Sequence, residues 1–282
     1  MNAWRLIDSG PGAGAWNLAL DDAIFAAVRA RRSPPTLRLY AWEAPTLSIG
    51  YAQDRDRAVD PAACRELGVA VLRRVTGGRA VLHDREATYS VAVPAGVPPF
   101  GTSLDEAYRA VAAGILAGLR QLGLEGAVAA PPSPGRNRLA RHPGCFASAA
   151  RHEITVGGRK LVGSAQRRAR DAFLQHGSIL LESHGDLLAR LLRAGGDAGP
   201  EATMAGLADL LRPCPSRGEI VAAVAAGCSA AWGVRLLPGG PTAEEAAIAR
   251  ELADFRYGAV SWNAGRGRGG SPPRALFDGA AR

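Results

Sequence analysis

The chain has 282 residues, 47 % hydrophobic and 6 % aromatic, and a formal charge of +8. Its length suits one large domain or two small ones, its mean hydropathy is close to zero, and no apolar run approaches the roughly 20 residues that cross a bilayer. The positive charge does not point to nucleic acid: four arginines (Arg266, Arg268, Arg274, Arg282) fall in a Gly/Pro-rich tail, the rest are scattered without interleaved aromatics, and attraction of an acidic protein is the better electrostatic reading.

The N-terminal stretch MNAWRLIDSGPGAGAWNLALDD has no basic segment leading into an apolar one, so no secretory leader is expected and a cytoplasmic location is. AWNLALDDAIFAAVRARR predicts an amphipathic helix with Leu18, Ile24, Phe25 and Val28 on its apolar side. Strand-like runs TLRLYAW and TLSIGYAQ follow. DPAACRELG predicts a compact helix with Asp60 as N-cap, Pro61 in its first turn and Gly68 as its stop. VAVLRRV, RAVLH and ATYSVAVP are further strands, and a capping box from Ser103 to Glu106 opens a helix over 103–122 that ends at Gly123.

Residues 129–144, AAPPSPGRNRLARHPG, predict a long loop. RHEITVGGRKLVGSAQ predicts a β-hairpin turning at Gly157-Gly158, with 152–156 pairing with 159–164, and FLQHGSILL another strand. Residues 186–257 are expected to be mostly helical, with capping boxes at Ser216/Glu219 and Thr242/Glu245, and the tail is expected to be disordered from about 265. The sum is an α+β fold: a single domain over 1–257 (core 33–250), with a mainly antiparallel or mixed sheet flanked by helices, then a tail over 258–282.

Three groups of residues stand out chemically. In RRVTGGRAVLHD, the paired Gly77 and Gly78 let backbone approach a ligand and offer N–H groups to an oxygen, although a plain turn is the simpler reading. The four cysteines, Cys64, Cys145, Cys214 and Cys228, contain no C-x-x-C pair, so neither a metal site nor a disulfide framework is expected. Cys64 and Cys228 fit helical cores, whereas Cys145 stands between the loop and the hairpin, where a thiolate could serve as a nucleophile. GSAQ (163–166) and QHGS (175–178) place small and polar residues on neighbouring strands, with His176 either shaping a slot or simply satisfied in the core.

One further count matters. Of the 34 basic residues, Lys160 is the single lysine. Codon bias accounts for the arginines. An ammonium near Cys145 would account for the exception, since a nearby cation favours the thiolate.

The ordered motifs WRLIDSG, WNLALDDAI, LRLYAWEAPTLSIGYAQ, RRVTGGRAVLHDREATYSV, CF, GRKLVGSAQRR and LQHGSILL, with YGAVSWN more faintly, resemble the biotin/lipoate protein ligase and transferase superfamily, and within it the LipM-type octanoyltransferases. The resemblance covers roughly residues 4–181. It implies a biotin/lipoate protein ligase-like catalytic fold, with Cys145 as the acyl-thioester nucleophile and Lys160 as its ammonium partner. Arg74, Gly77, Gly78 and His83 would border one side of an acyl slot. Gly163, Ser164, Ala165, His176, Gly177 and Ser178 would form the other. The implied donor is octanoyl-acyl carrier protein and the implied acceptor a lysine of an apo lipoyl domain, such as that of the glycine cleavage H protein. No cofactor and no membrane partner are implied.

Arg79 stands where lipoate ligases carry a third glycine, which favours the transferases. The stretch ASAARH before Glu153 departs from the family's more polar pattern and leaves the acyl preference open. Three other readings stay open: an ATP- and Mg²⁺-dependent lipoate ligase, an amidotransferase between lipoyl proteins, and a non-catalytic lipoyl-domain binder.

Overall fold

The computed structural model describes residues 2–125, 127–129, 153–193 and 204–264. Cys145, most of the expected loop and the tail from 265 lie outside the described residues. In chain order the strands are β1 (Asn2–Gly12), β2 (Thr36–Trp42), β3 (Thr46–Ile49), β4 (Ala70–Arg73), β5 (Val81–His83), β6 (Glu86–Pro94), β7 (Ala127–Ala129), β8 (Ile154–Val156), β9 (Arg159–Arg168), β10 (Ala172–Leu180) and β11 (Val234–Pro238). The helices are α1 (Gly14–Arg29), α2 (Arg55–Ala58), α3 (Pro61–Glu66), α4 (Leu104–Gln121), α5 (Gly185–Leu191), α6 (Leu207–Leu210), α7 (Arg217–Trp232), α8 (Ala243–Leu252) and α9 (Val260–Asn263), with a π-helical turn at Ala253–Tyr257.

Eight strands form one sheet in the order β11-β1-β2-β6-β10-β9-β8-β7, and a second sheet runs β4-β3-β5. In the large sheet, β1 is parallel to both β11 and β2, and the other pairs are antiparallel. The expected α+β architecture with a mixed sheet flanked by helices is what the chain forms. Among the described residues, no helix is long and apolar enough to cross a membrane.

Strand alternation divides the molecule into layers. On β6, Tyr89, Val91 and Val93 turn to one side, where they join Phe100, Ile115, Val224 and Trp232 in a core with α4 and α7. Thr88, Ser90 and Ala92 turn to the other side, where α1 and the small sheet lie. A separate core, Leu47, Ile49, Cys64, Leu82 and Leu188 among others, packs the small sheet against α2, α3 and α5.

Local signals explain several elements. Asp60 Oδ1 accepts from the amides of Ala62 and Ala63 at 2.8 and 3.1 Å, with Pro61 in the first turn of α3. Capping boxes form at Ser103/Glu106, Ser216/Glu219 and Thr242/Glu245. The hairpin turns at Gly157-Gly158, both left-handed at φ 57° and 78°, a conformation that costs a side-chain-bearing residue more.

Other elements differ from the sequence reading. Helix α1 is not amphipathic in place: every residue from Asn17 to Val28 is buried, Asp21 and Asp22 included. Partners make this possible, because a buried carboxylate persists when paired and hydrogen-bonded. Arg38 and Tyr40 meet Asp21 at 2.7 and 2.9 Å, and Arg256 pairs with Asp22. Strand β1 was not anticipated, since Gly10, Pro11 and Gly12 break its pattern and its register shifts between Asp8 and Gly10. Nor was β11, a short edge strand inside the stretch expected to be helical. Beyond 257, where the tail was expected to begin, α9 packs back on the fold: Trp262 Nε1 donates to Arg73 O at 2.8 Å, and Asn263 Oδ1 accepts from Arg73 N at 2.7 Å.

Candidate active site

A narrow pocket opens between the two sheets. The large sheet supplies Thr88 from β6, Gly163, Ser164 and Ala165 from β9, and His176, Gly177 and Ser178 from β10. The small sheet and the loop after it supply Ser48, Arg74, Val81 and His83. Pairing of β9 with β10 sets His176 opposite Ala165, Gly177 opposite Ser164 and Ser178 opposite Gly163. Small side chains on this patch of sheet leave the space open. A Cβ on Gly177 would stand 2.5 Å from Gly163 O and 2.7 Å from the Tyr89 ring, so that position is closed to larger residues.

The polar groups of the walls are bonded to one another. His83 Nδ1 lies 2.9 Å from Glu86 Oε1, and the same oxygen accepts from Thr88 and Ser178 at 2.6 and 2.8 Å. Burial alone would push the Glu86 carboxyl up, but His83 and these hydroxyls outweigh it and hold it below the ordinary carboxylate value. Trp42 covers His83 in a stacked arrangement and donates to Thr88 Oγ1 at 2.8 Å.

A second carboxylate–histidine pair lies across the pocket. His176 Nδ1 is 3.8 Å from Asp21 Oδ2, and its Nε2 is 2.7 Å from Thr76 Oγ1. Burial drives the Asp21 carboxyl up, yet Arg38, His176 and Ser90 more than reverse it. Burial lowers His176 and outweighs the opposing pull of Asp21.

Arg74 joins the two pairs. Its Nε donates to Thr76 Oγ1 at 3.1 Å and its Nη1 to Ser48 Oγ at 3.1 Å, while Ser48 Oγ contacts His83 Nε2 at 2.7 Å. Each hydroxyl receives an arginine N–H and lies against a histidine Nε2. Nδ1 of each ring faces its carboxylate. With these donors and acceptors turned on each other, the pocket presents mainly carbon to an occupant, as an alkyl chain requires.

The remaining donors of Arg74 shape the glycine loop: Nη2 donates to Gly77 O at 2.7 Å and Arg79 O at 2.8 Å. Gly50 packs so close to Gly78 that a Cβ there would fall 1.9 Å from Gly78 O. Among the described residues, no acceptor meets the N–H of Gly77 or Gly78, and both glycines are exposed. They line an outer chamber with Arg79, Tyr108, Glu153, Ser164, Ala165 and Gln166. Ser164 and Ala165 line both spaces, which makes the chamber and the slot neighbours.

Lys160 lies behind the chamber. In the hairpin it pairs in register with Thr155, its main chain bridges to Met204, and its ammonium donates to Glu153 Oε1. Both side chains are buried. Of the residues singled out in the sequence, ten (Arg74, Gly77, Gly78, His83, Gly163, Ser164, Ala165, His176, Gly177, Ser178) line the slot or chamber. Lys160 lies beside them through Glu153, and Cys145 is outside the described residues. Ser48, Thr76, Glu86, Asp21 and Glu153 were not singled out as site residues.

Residues 13–229 match the lipoyl protein ligase A/B catalytic domain. The chain belongs to this family. Within the lipoyl protein ligase A/B family, it is 44 % identical over 272 residues to the octanoyltransferase LipM of Kyrpidia tusciae, covering 93 % of this chain and 99 % of that one. It is 38 % identical over 266 residues to the octanoyltransferase LipM of Moorella thermoacetica, covering 92 % and 97 %. Among solved members, a T. acidophilum protein described as a lipoate protein ligase, with lipoic acid bound, superposes with a TM-score of 0.78 at 26 % identity, covering 94 % of this chain and all of that one. A lipoate-protein ligase A bound with ATP gives 0.78 and 26 %, covering 93 % and 98 %.

Proposed function

We propose that this protein is an octanoyltransferase of lipoate synthesis that moves an octanoyl group from a carrier-protein thioester to a lysine of an apo lipoyl domain, such as that of the glycine cleavage H protein. The reading draws on the near-full-length likeness to octanoyltransferases. The observation that carries it is a carbon-lined slot that shares Ser164 and Ala165 with a neighbouring chamber walled by Gly77, Gly78 and Glu153, with the single lysine of the chain bonded to Glu153.

In this mechanism Cys145 is the nucleophile. Its thiolate attacks the thioester carbonyl, and the Gly77 and Gly78 amides, held by Arg74 through the loop carbonyls, receive the developing oxyanion. Lys160 favours the thiolate and protonates the departing carrier thiol. The acyl chain lies in the slot against Gly163 and Ser178. Lysine attack on the acyl-enzyme then releases the amide product.

Intact-mass measurement after mixing with octanoyl-carrier protein, without ATP, tests this. An octanoyl adduct lost in Cys145→Ser is expected, and its absence from the wild type would overturn the reading. The likeness to a ligase solved with ATP makes adenylation the second reading; in that case free octanoate and ATP would support transfer while the carrier thioester would not. An octanoylated H protein serving as donor would point instead to amidotransfer.

A further inference from the structure

We infer that Trp262 and Asn263 are positioning residues for the transfer: acting through Arg73, they set the turn on which the Gly77-Gly78 loop rests. The inference rests on the reading above, in which the amides of that loop meet the reacting carbonyl.

Strands β3 and β4 run parallel and end side by side, with Ile49 in register with Arg73. The chain leaving one strand packs on the chain leaving the other. Tyr51 N donates to Thr76 O at 2.9 Å, and a Cβ on Gly50 would collide with Gly78 O. The turn over 50–53 is therefore the bed of the glycine loop. A contact this tight leaves no slack, so a shift of the turn moves the loop with it.

Arg73 holds that turn, its Nη1 donating to Gly50 O, Tyr51 O and Gln53 O. Two successive residues of α9 hold Arg73 in its place. Asn263 Oδ1 accepts from its amide at 2.7 Å, Trp262 Nε1 donates to its carbonyl at 2.8 Å, and Trp262 O accepts from its Nε at 3.1 Å. The backbone donor, the backbone acceptor and the guanidinium of one buried residue are thus gripped from one helix. That helix has anchors of its own. Asn263 Nδ2 donates to Tyr257 O at 2.6 Å and Ala259 O at 3.1 Å. The Arg256 guanidinium, 5.1 Å from the Trp262 ring centroid, is paired with Asp22 of α1.

The neighbouring arginines divide the work. Arg74 holds the glycine loop by its own carbonyls, and Arg73 holds the turn the loop lies on. The second hold reaches beyond residues 13–229, which match the catalytic domain. Trp262 and Asn263 line neither the slot nor the chamber, so their influence runs through Arg73. A displacement of about 1 Å at a group that meets the transition state can cost about 100-fold in rate. Their grip is therefore expressed in the chemical step, while the slot that binds the acyl chain keeps its walls.

Steady-state transfer by the full chain, from octanoyl-carrier protein to an apo lipoyl domain, tests this well below each variant's thermal midpoint. Asn263→Ala should lower kcat by about 10–100-fold, and Trp262→Phe should lower it by less, both with KM for the donor within a few-fold of wild type. Arg73→Lys keeps the cation but loses the planar fork, and should lower kcat as well. The double variant Asn263→Ala/Arg73→Lys should be at most a few-fold slower than Arg73→Lys alone, because both changes cut one linkage. Ser33→Ala removes a buried hydrogen bond to Glu245 and gauges lost stability by itself; its kcat should stay near wild type. An unchanged kcat in Asn263→Ala and Trp262→Phe overturns the inference. So does full multiplication of the two effects in the double variant, or an equal loss in Ser33→Ala. Should Arg73→Lys fail to fold, the two α9 variants set against Ser33→Ala still decide the matter. A wild type inert toward the carrier thioester would instead overturn the reading on which the inference rests.

Discussion

Trp42 lies flat on His83, with ring centroids 4.0 Å apart and planes 12° from parallel. The same indole N–H reaches Thr88 Oγ1 and Glu86 Oε1 at 2.8 and 3.1 Å. One side chain thus fixes both the ring that lines the slot and the carboxylate that orients that ring. Trp42→Phe keeps a ring but loses both hydrogen bonds, and should cost about 1–2 kcal/mol of stability, read as a lower urea midpoint. Transfer should fall further than stability accounts for, because the Glu86 carboxylate that orients His83 then loses one of its donors. An unchanged rate at an unchanged midpoint would show that the stack is incidental.

Lys160→Arg keeps a positive charge beside Glu153 but replaces a compact ammonium with a broad, planar cation that does not give up its proton. Adduct formation on Cys145 should slow by about 100-fold or more, while the variant still unfolds cooperatively. Lys160→Met is the harsher change. Removing one partner of a buried ion pair should destabilise the fold by about 3–5 kcal/mol, and comparing the two thermal midpoints checks this ordering.

Acid should weaken the protein in two stages. Burial lowers His176 and His184, so below about pH 6.5 the unfolded chain takes up protons that the fold resists. Asp21 and Glu86 are also held below their ordinary values. Their contribution is complete above about pH 5 and is lost as pH falls through the folded values. The thermal midpoint should therefore decline gently from pH 7 to 5 and steeply below about 4. His176→Gln should reduce the upper slope without abolishing it, since His184 remains. A flat wild-type profile between pH 7 and 5 would contradict this assignment.

Asn263→Ala should destabilise the protein despite lying beyond the catalytic motifs. It removes the acceptor for the buried Arg73 amide and a donor to Tyr257 O at 2.6 Å. An unsatisfied buried amide costs about 1–3 kcal/mol, measurable as a shift in urea midpoint. The Arg73 guanidinium also donates to Gly50 O, Tyr51 O and Gln53 O at 2.9, 2.9 and 2.7 Å. Transfer activity should fall as well, because Gly50 backs the glycine loop.

Much of this site was legible in the sequence where its signal was local. Gly77-Gly78, His83 and the two small-residue strands could be read as motifs, and the hairpin turn and capping boxes follow from short patterns. What could not be read depends on distant pairing. Asp21 belongs to a helix whose carboxylates look solvated until Arg38 and Ser90 are brought against it by β2 and β6. Glu86 looks like an ordinary strand-edge acid until Ser178, 92 residues later, donates to it. Glu153 gains meaning only from the register that sets Thr155 opposite Lys160. Strands β1 and β11 were missed because they support each other in parallel rather than through a recognisable hairpin.

The two-sheet construction of the slot also bears on how the protein is made. Ser48, Arg74 and His83 emerge from the ribosome long before Gly163 and Ser178, and no local contact stands in for the absent wall. A nascent chain ending near residue 150 would possess one side of the site and hold no acyl group. Sites assembled from such long-range pairing form late in folding. A donor thioester that engages only the finished slot would then select for completed chains and stabilise them once bound.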